Sequence, residues 1–417
     1  MTDNTLVSTD SISKTTSTST KPGRLYYLDW LRIILLFGVF LYHVLKPFDA
    51  MQAWHINNAE QSEAVMGILL TINPWGLPLF FLVAGASSFF ALRRRSNRQY
   101  INERVNRLLI PFIVGSILLT PFQKYLEKLN NERFEGSFLS FIPEWLTDNI
   151  SELRFSPEIF GDWGLHLWFL PFLFLISLLA LPIFRWLKRD TGGSIVSWLG
   201  RLVEKRGGIL LFILPLALGR VLLLPFAPHE EHGWTEFVTF LLFFIIGYIF
   251  YSDERFQSAV RRDRWLLFAS GVVGLSAYFV LSMIVGEDVV LDWGFTFVFP
   301  GSIIAYFFFT LISWGWALFV LYLAMSYLNF SNRLLVYGNE TIMPFYLLHQ
   351  PVIIVVSYFV VQWDAGIFVK LIVILLSSLL ILLALIELLI RPFKPMRRLF
   401  GMKPMSPKEE GVKTVPA

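Results

Sequence analysis

Ten separate stretches of this chain are each apolar for about the length of a membrane crossing, and that restricts its fold more than any other feature. A helical crossing takes roughly 20 mainly apolar residues. Candidate segments fall at about 26–46, 70–92, 107–123, 165–187, 208–227, 235–252, 264–285, 302–328, 340–361 and 368–390. In hydrocarbon every backbone polar group must be satisfied within the protein, which leaves helices or a closed barrel. Barrel strands would read as short alternating segments, whereas these runs are continuous, so the expected class is all-α: a polytopic helical bundle of about ten spans. Composition agrees, with 55% hydrophobic and only 16% charged residues, against about a quarter charged in soluble domains. The absence of cysteine excludes disulfides, thiolate metal sites and a cysteine nucleophile.

Loop charge sets the expected orientation, because cytoplasmic loops carry the excess of Lys and Arg. With the N-terminus inside, 27 of the 35 Lys and Arg residues fall on the inner side and six on the outer, with Arg32 and Arg220 left inside spans. Ten spans with both termini cytoplasmic follow, and dropping one span would put "RWLKRD" or "RRDRW" outside. Residues 1–23, rich in Ser and Thr and without an apolar core, read as a disordered cytoplasmic tail and not as a signal peptide. Residues 24–392 form the transmembrane domain, and residues 393–417 a cytoplasmic tail. The loop at 124–164 is too long for a simple connector, which suits a cover over an outward-facing site. The basic clusters are accounted for by topology and by anionic lipid, so the expected surroundings are a lipid bilayer, a cell (inner) membrane, and no nucleic acid.

Charged and imidazole side chains inside a span are costly and face the protein interior or water. The first span, "LDWLRIILLFGVFLYHV", holds three: Asp29, Arg32 and His43. Arg32 and His43 are eleven residues apart, almost three helical turns and about 16 Å of rise. They therefore share a face, and Asp29 can pair with Arg32. The plain alternative is a structural ion pair plus an interfacial histidine. His166 opens the fourth span at a depth similar to His43, and His349 sits in the ninth, where Pro351 frees carbonyls that need partners. Three histidines in one bundle favour a shared polar cavity. His55, in the first outer loop, and His229 and His232, flanking two glutamates, read as solvated, with a metal site at "HEEH" the less favoured reading. Arg104 and Arg107 lie on one helical face where the chain re-enters from the cytoplasm, a fork that suits phosphate, although ordinary positive-inside charge is an equal explanation. The small residues Ala84, Gly85, Ala86, Ser87 and Ser88 suit close helix packing.

Taken in order, "LDWLR" with His43, "LFFLVAG", Arg104-x-x-Arg107 before "LLIP", "HLWFL", "LLFFIIGY" and "FYLLHQPVI" resemble the acyltransferase-3 family of integral membrane acyltransferases, over about residues 24–390. The first of these is most similar to a branch acting on periplasmic glucans by succinyl transfer. One departure is "NETIMP" before "FYLLHQ", where many members carry a serine. The resemblance implies an O-acyltransferase that moves an acetyl- or succinyl-class group from cytoplasmic acyl-coenzyme A to a hydroxyl of an extracytoplasmic carbohydrate, with no metal. It implies Arg104 and Arg107 on the donor phosphates and His43 as general base, supported by Arg32, Asp29, His349 and His166. The rival readings are a secondary transporter, against which no inverted repeat is found, and a non-catalytic component of polysaccharide export.

Overall fold

The computed structural model describes residues 24–131, 134–151, 153–224, 231–286, 289–290 and 298–403, and these are helical with no strand beyond one isolated bridge between Asp49 and Ser62. Residues 1–23, the end of the C-terminal tail and His229 lie outside the described residues. Among the described residues, nine helices are long and apolar enough to cross a membrane: α1 (Tyr26–Leu45), α2 (Glu63–Arg94), α3 (Asn97–Asn131), α5 (Ile159–Leu187), α8 (Trp234–Ser252), α10 (Arg264–Val285), α11 (Gly301–Tyr327), α12 (Arg333–Val360) and α13 (Ile367–Ile390). Short helices α4 (Phe138–Ser151), α6 (Asp190–Glu204), α9 (Glu254–Arg262) and α14 (Lys394–Leu399) lie between or after them. The long 124–164 segment is thus mostly helical, built from the end of α3, α4 and the start of α5.

The fifth expected span is the shorter apolar helix α7 (Gly208–Leu223). Its neighbours argue that it returns the chain along the bundle. Helices α5 and α8 run parallel, Phe172 meeting Phe237 and Phe240 while Phe184 meets Phe244 and stacks on Tyr248 at 3.8 Å. Two parallel helices consecutive in the bundle require the chain to return between them. Helix α7 makes that return antiparallel to α11, with the Ile209 carbonyl on the Trp314 indole and Arg220 over Tyr306 and Phe309. Its first turn, Gly208–Phe212, is a 3₁₀ helix, whose larger rise per residue stretches 16 residues to about 26 Å. With α7 as the return, the end of α13 lies at the end of the bundle where α1 begins. Arg391, just past α13, pairs with Glu340 near the start of α12 (3.2 Å).

Helix starts follow local sequence: Ser62, Ser96 and Asn332 accept from backbone N–H groups at the N-termini of α2, α3 and α12, and Ser96 with Gln99 forms a reciprocal cap. Between lipid-bathed helices apolar surface gives little drive, and small residues and hydrogen bonds decide packing. Gly85 and Gly247 bring α2 and α8 into backbone contact, since a Cβ on Gly85 would sit 1.9 Å from the Phe244 carbonyl oxygen and one on Gly247 2.0 Å from that of Leu82. Prolines supply the other contacts. Pro78 has no N–H for the carbonyl of Pro74, and the Ser313 hydroxyl of α11 donates to that oxygen instead (2.6 Å), as a released carbonyl in lipid requires.

Candidate active site

Helices α1 and α12 run side by side in the same direction, Trp30 beside Phe330, Phe40 beside Phe345, and His43 beside His349. This register brings two histidines 306 residues apart in sequence to 3.3 Å between His349 Nε2 and His43 Nδ1. The third joins through a proline. Pro351 cannot donate to the Leu347 carbonyl, and His166 Nε2 reaches across from the 3₁₀ turn at the start of α5 to that oxygen (3.1 Å). The Tyr346 hydroxyl donates in turn to the His166 carbonyl. The ring centroids of His43 and His166 each lie 5.0 Å from that of His349.

A carbonyl oxygen only accepts, so the contacts assign the protons. His43 Nδ1 lies 2.8 Å from the Val39 carbonyl and is therefore the N–H of that ring. His349 Nδ1 donates to the Tyr346 carbonyl (2.6 Å), which leaves its Nε2 as the acceptor facing His43. Both constraints leave His43 Nε2 as a bare lone pair on a half-buried ring, without a hydrogen bond to any described residue. His349 is fully buried, and His166 nearly so, with its Nδ1 unpartnered.

Reading His55 as solvated is wrong. Its Nδ1 donates to Glu127 at the end of α3 (2.6 Å) and its Nε2 accepts from the Gln350 amide (3.0 Å). Trp54 lies between the two groups, 6.0 Å from the His43 ring and 5.2 Å from that of His55. The loop is held in place by backbone bonds from Asn58 to Pro47 and from Ser62 to Phe48, by a buried Lys46–Asp49 pair (2.7 Å), and by Lys370, which donates to Asn58. His232 is also no free loop residue: it packs edge-on to Trp168 at 4.2 Å. No cluster of three or more potential metal ligands occurs among the described residues.

At the opposite end of α1, Asp29 accepts from Arg32 (2.9 Å) and from Arg24 (2.6 Å), and Arg32 also donates to the Ser87 hydroxyl. Arg104 donates to Ser88 (2.9 Å) and lies over the Tyr100 ring. The run of small residues on α2 thus does two things: Gly85 packs, while Ser87 and Ser88 hold arginines. Arg107 takes a different partner, Glu103 at 3.8 Å. The turn between the two arginines is π-helical, Val105–Leu109, wider than an α turn, so three-residue spacing does not give them one shared partner. Sequence spacing missed Glu127, Gln350, Ser87 and Ser88. Gln350 alone carried a signal, as an uncharged polar residue beside His349 on a proline-broken helix.

An intramembrane helical bundle with imidazoles gathered at one end of its first helix and arginines at the other defines a polytopic integral membrane protein with polar groups at both ends of one span. The chain belongs to the acyltransferase-3 family, whose acyltransferase domain matches residues 25–387. Among curated proteins it is similar to the glucans biosynthesis protein C of Salmonella paratyphi B, of Salmonella heidelberg and of Salmonella agona, each 25% identical over 166 residues. The match covers 40% of this chain and spans 40% of the length of those relatives. No solved structure matches it. Acyl transfer within a membrane is the chemistry that this family implies.

Proposed function

We propose that the protein transfers an acyl group from cytoplasmic acyl-coenzyme A to a hydroxyl of an extracytoplasmic carbohydrate, a glucan by likeness to its relatives, with the donor entering past Arg32 and the acceptor meeting His43. The observation that carries this reading is the fixed tautomer of His43. A general base needs a free lone pair held in place, and an unprotonated imidazole supplies one. The acceptor hydroxyl gives its proton to His43 Nε2 as its oxygen attacks the thioester carbonyl. The tetrahedral intermediate then breaks its C–S bond, and the leaving thiolate takes the proton back from the imidazolium. His349 accepts from His43 Nδ1–H and so supports the positive ring while it lasts. A donor aimed at the developing oxyanion would add to this.

Arg104 and Arg107 serve the donor, because guanidinium groups at the basic end suit phosphate, and Arg32 at that end of α1 lies about three helical turns from His43. Charge asymmetry supports a cytoplasmic position for this end and an inner, cell membrane as the location. The test is acyl-CoA binding and acyl transfer to a glucan, measured on the same purified preparation of the wild type and of His43→Ala. Donor binding without transfer in the variant supports the assignment. Near-normal transfer moves the chemistry to His349, and absence of acyl-CoA binding by the wild type sinks the donor itself. Reporter fusions at position 200 and beyond residue 391 check the orientation, which fails if either lies outside.

A further inference from the structure

Arg220 of α7 is 7% exposed, within the apolar bundle, and takes no part in the histidine site. Its guanidinium is flanked by the rings of Phe309 (4.4 Å) and Tyr306 (5.2 Å), and its Nε is buried without a hydrogen-bond partner. Among the described residues no carboxylate comes within ion-pair distance of it. A charge in such a place normally has a partner. Beside it, α2, α7, α8 and α11 enclose a cavity of about 40 Å³, room for about three water molecules. Asn73, Arg220, Glu236, Thr239, Thr310 and Ser313 supply its polar wall, and none of the three clustered histidines lines it. Thr310 Oγ1 is likewise buried and unpartnered.

We propose that this cavity binds a small monovalent anion, chloride or the carboxylate end of an organic acid, held by the Arg220 guanidinium and the Thr310 hydroxyl. The one carboxylate on the wall does not fill the role. Glu236 stands in the first turn of α8, accepts from the His232 N–H (3.0 Å) and meets the positive end of that helix, so it acts on Arg220 only through space, without an ion pair, and leaves the guanidinium N–H groups without a direct acceptor among the described residues. Guanidinium offers a planar fork for a carboxylate and is weakly enough hydrated to be stripped for a halide. The small volume excludes larger anions. This assignment stands apart from the acyl-transfer reading and does not depend on it.

The test uses the full-length protein purified in detergent, with its thermal midpoint followed against sodium chloride, sodium acetate and sodium gluconate at constant ionic strength. Chloride or acetate should raise the midpoint saturably while gluconate, too large for the cavity, does not, and whichever of the two saturates at lower concentration names the ion. Arg220→Met should abolish the effect. If that variant does not fold, Thr310→Val decides, raising the half-saturating concentration about tenfold through the loss of one hydrogen bond to a charged ligand. Identical curves in all three salts, a saturable effect that persists in Arg220→Met, or an unchanged half-saturation in Thr310→Val overturns the proposal and leaves water between Arg220 and Glu236.

Discussion

The two ends of α1 handle polarity in opposite ways. At its start, Asp29 is shared by Arg24 and Arg32, Arg32 is shared with Ser87, and Arg32 is still about a third exposed (29% of its side chain). At its far end His43, His349 and His166 meet as neutral rings, and their N–H groups go to backbone carbonyls of Val39, Tyr346 and Leu347. The first arrangement is a set of full charges cancelled by neighbours and open at the edge, suited to holding an anion. The second spends its donors on the backbone and leaves an acceptor nitrogen, suited to moving a proton. The difference teaches that burial alone does not single out a candidate base; what singles out His43 as the candidate is that its other partners fix the ring and leave one atom free.

The sharpest break of this contrast is His43→Ala. Transfer should fall about a hundred- to ten-thousand-fold, the range for a lost general base, with donor affinity unchanged in the same preparation. At the basic end the effect should instead appear in binding. Arg104→Ala and Arg107→Ala should each weaken acyl-CoA binding about tenfold, through loss of a charged hydrogen bond, with little change in the turnover of saturated enzyme; equal affinity in both variants would reduce them to topological charges.

Asp29 separates pairing from function. Asp29→Ala leaves Arg32 with Ser87 alone, whereas Arg32→Ala leaves Asp29 still held by Arg24. Asp29→Ala should therefore lower the thermal midpoint more than Arg32→Ala does, and the reverse order would mean that Arg24 does not hold the carboxylate in solution. The arginine change is accordingly less damaging to the fold than the sequence pair alone implies. The smallest effect belongs to His166→Phe, which keeps the ring and orphans the Leu347 carbonyl. It should cost about 1–3 kcal/mol of stability, the penalty for a buried unsatisfied group, with donor binding retained. A neutral result would show that Leu347 finds another donor.

Much of the site was legible because its residues break a strong pattern. In a chain with 55% hydrophobic residues, Asp29, Arg32, His43 and His349 stand out, and eleven-residue spacing relates Arg32 to His43 by helix geometry alone. His55 was misread for the converse reason. In a polar loop a histidine has no contrast, and only the folded loop brings it between Glu127 and Gln350. Arg104 shows the same limit on a helix, because its partner Ser88 comes from α2 and spacing within α3 does not name it.

The sequence by itself determined the class, the apolar segments and the charge imbalance between the two ends, because apolar length and loop charge act segment by segment and need no partner. Even the short α7 was legible as an apolar segment, although only the parallel run of α5 and α8 argues that it returns the chain across the bundle. The tertiary structure alone decided which polar groups meet: His43 with His349 through the register of α1 on α12, His166 with the carbonyl that Pro351 releases, and Arg220 with a cavity instead of a carboxylate. Those pairings depend on helix order and rotation, which in lipid are set by glycine contacts and released carbonyls between distant segments and leave no periodic trace along the chain.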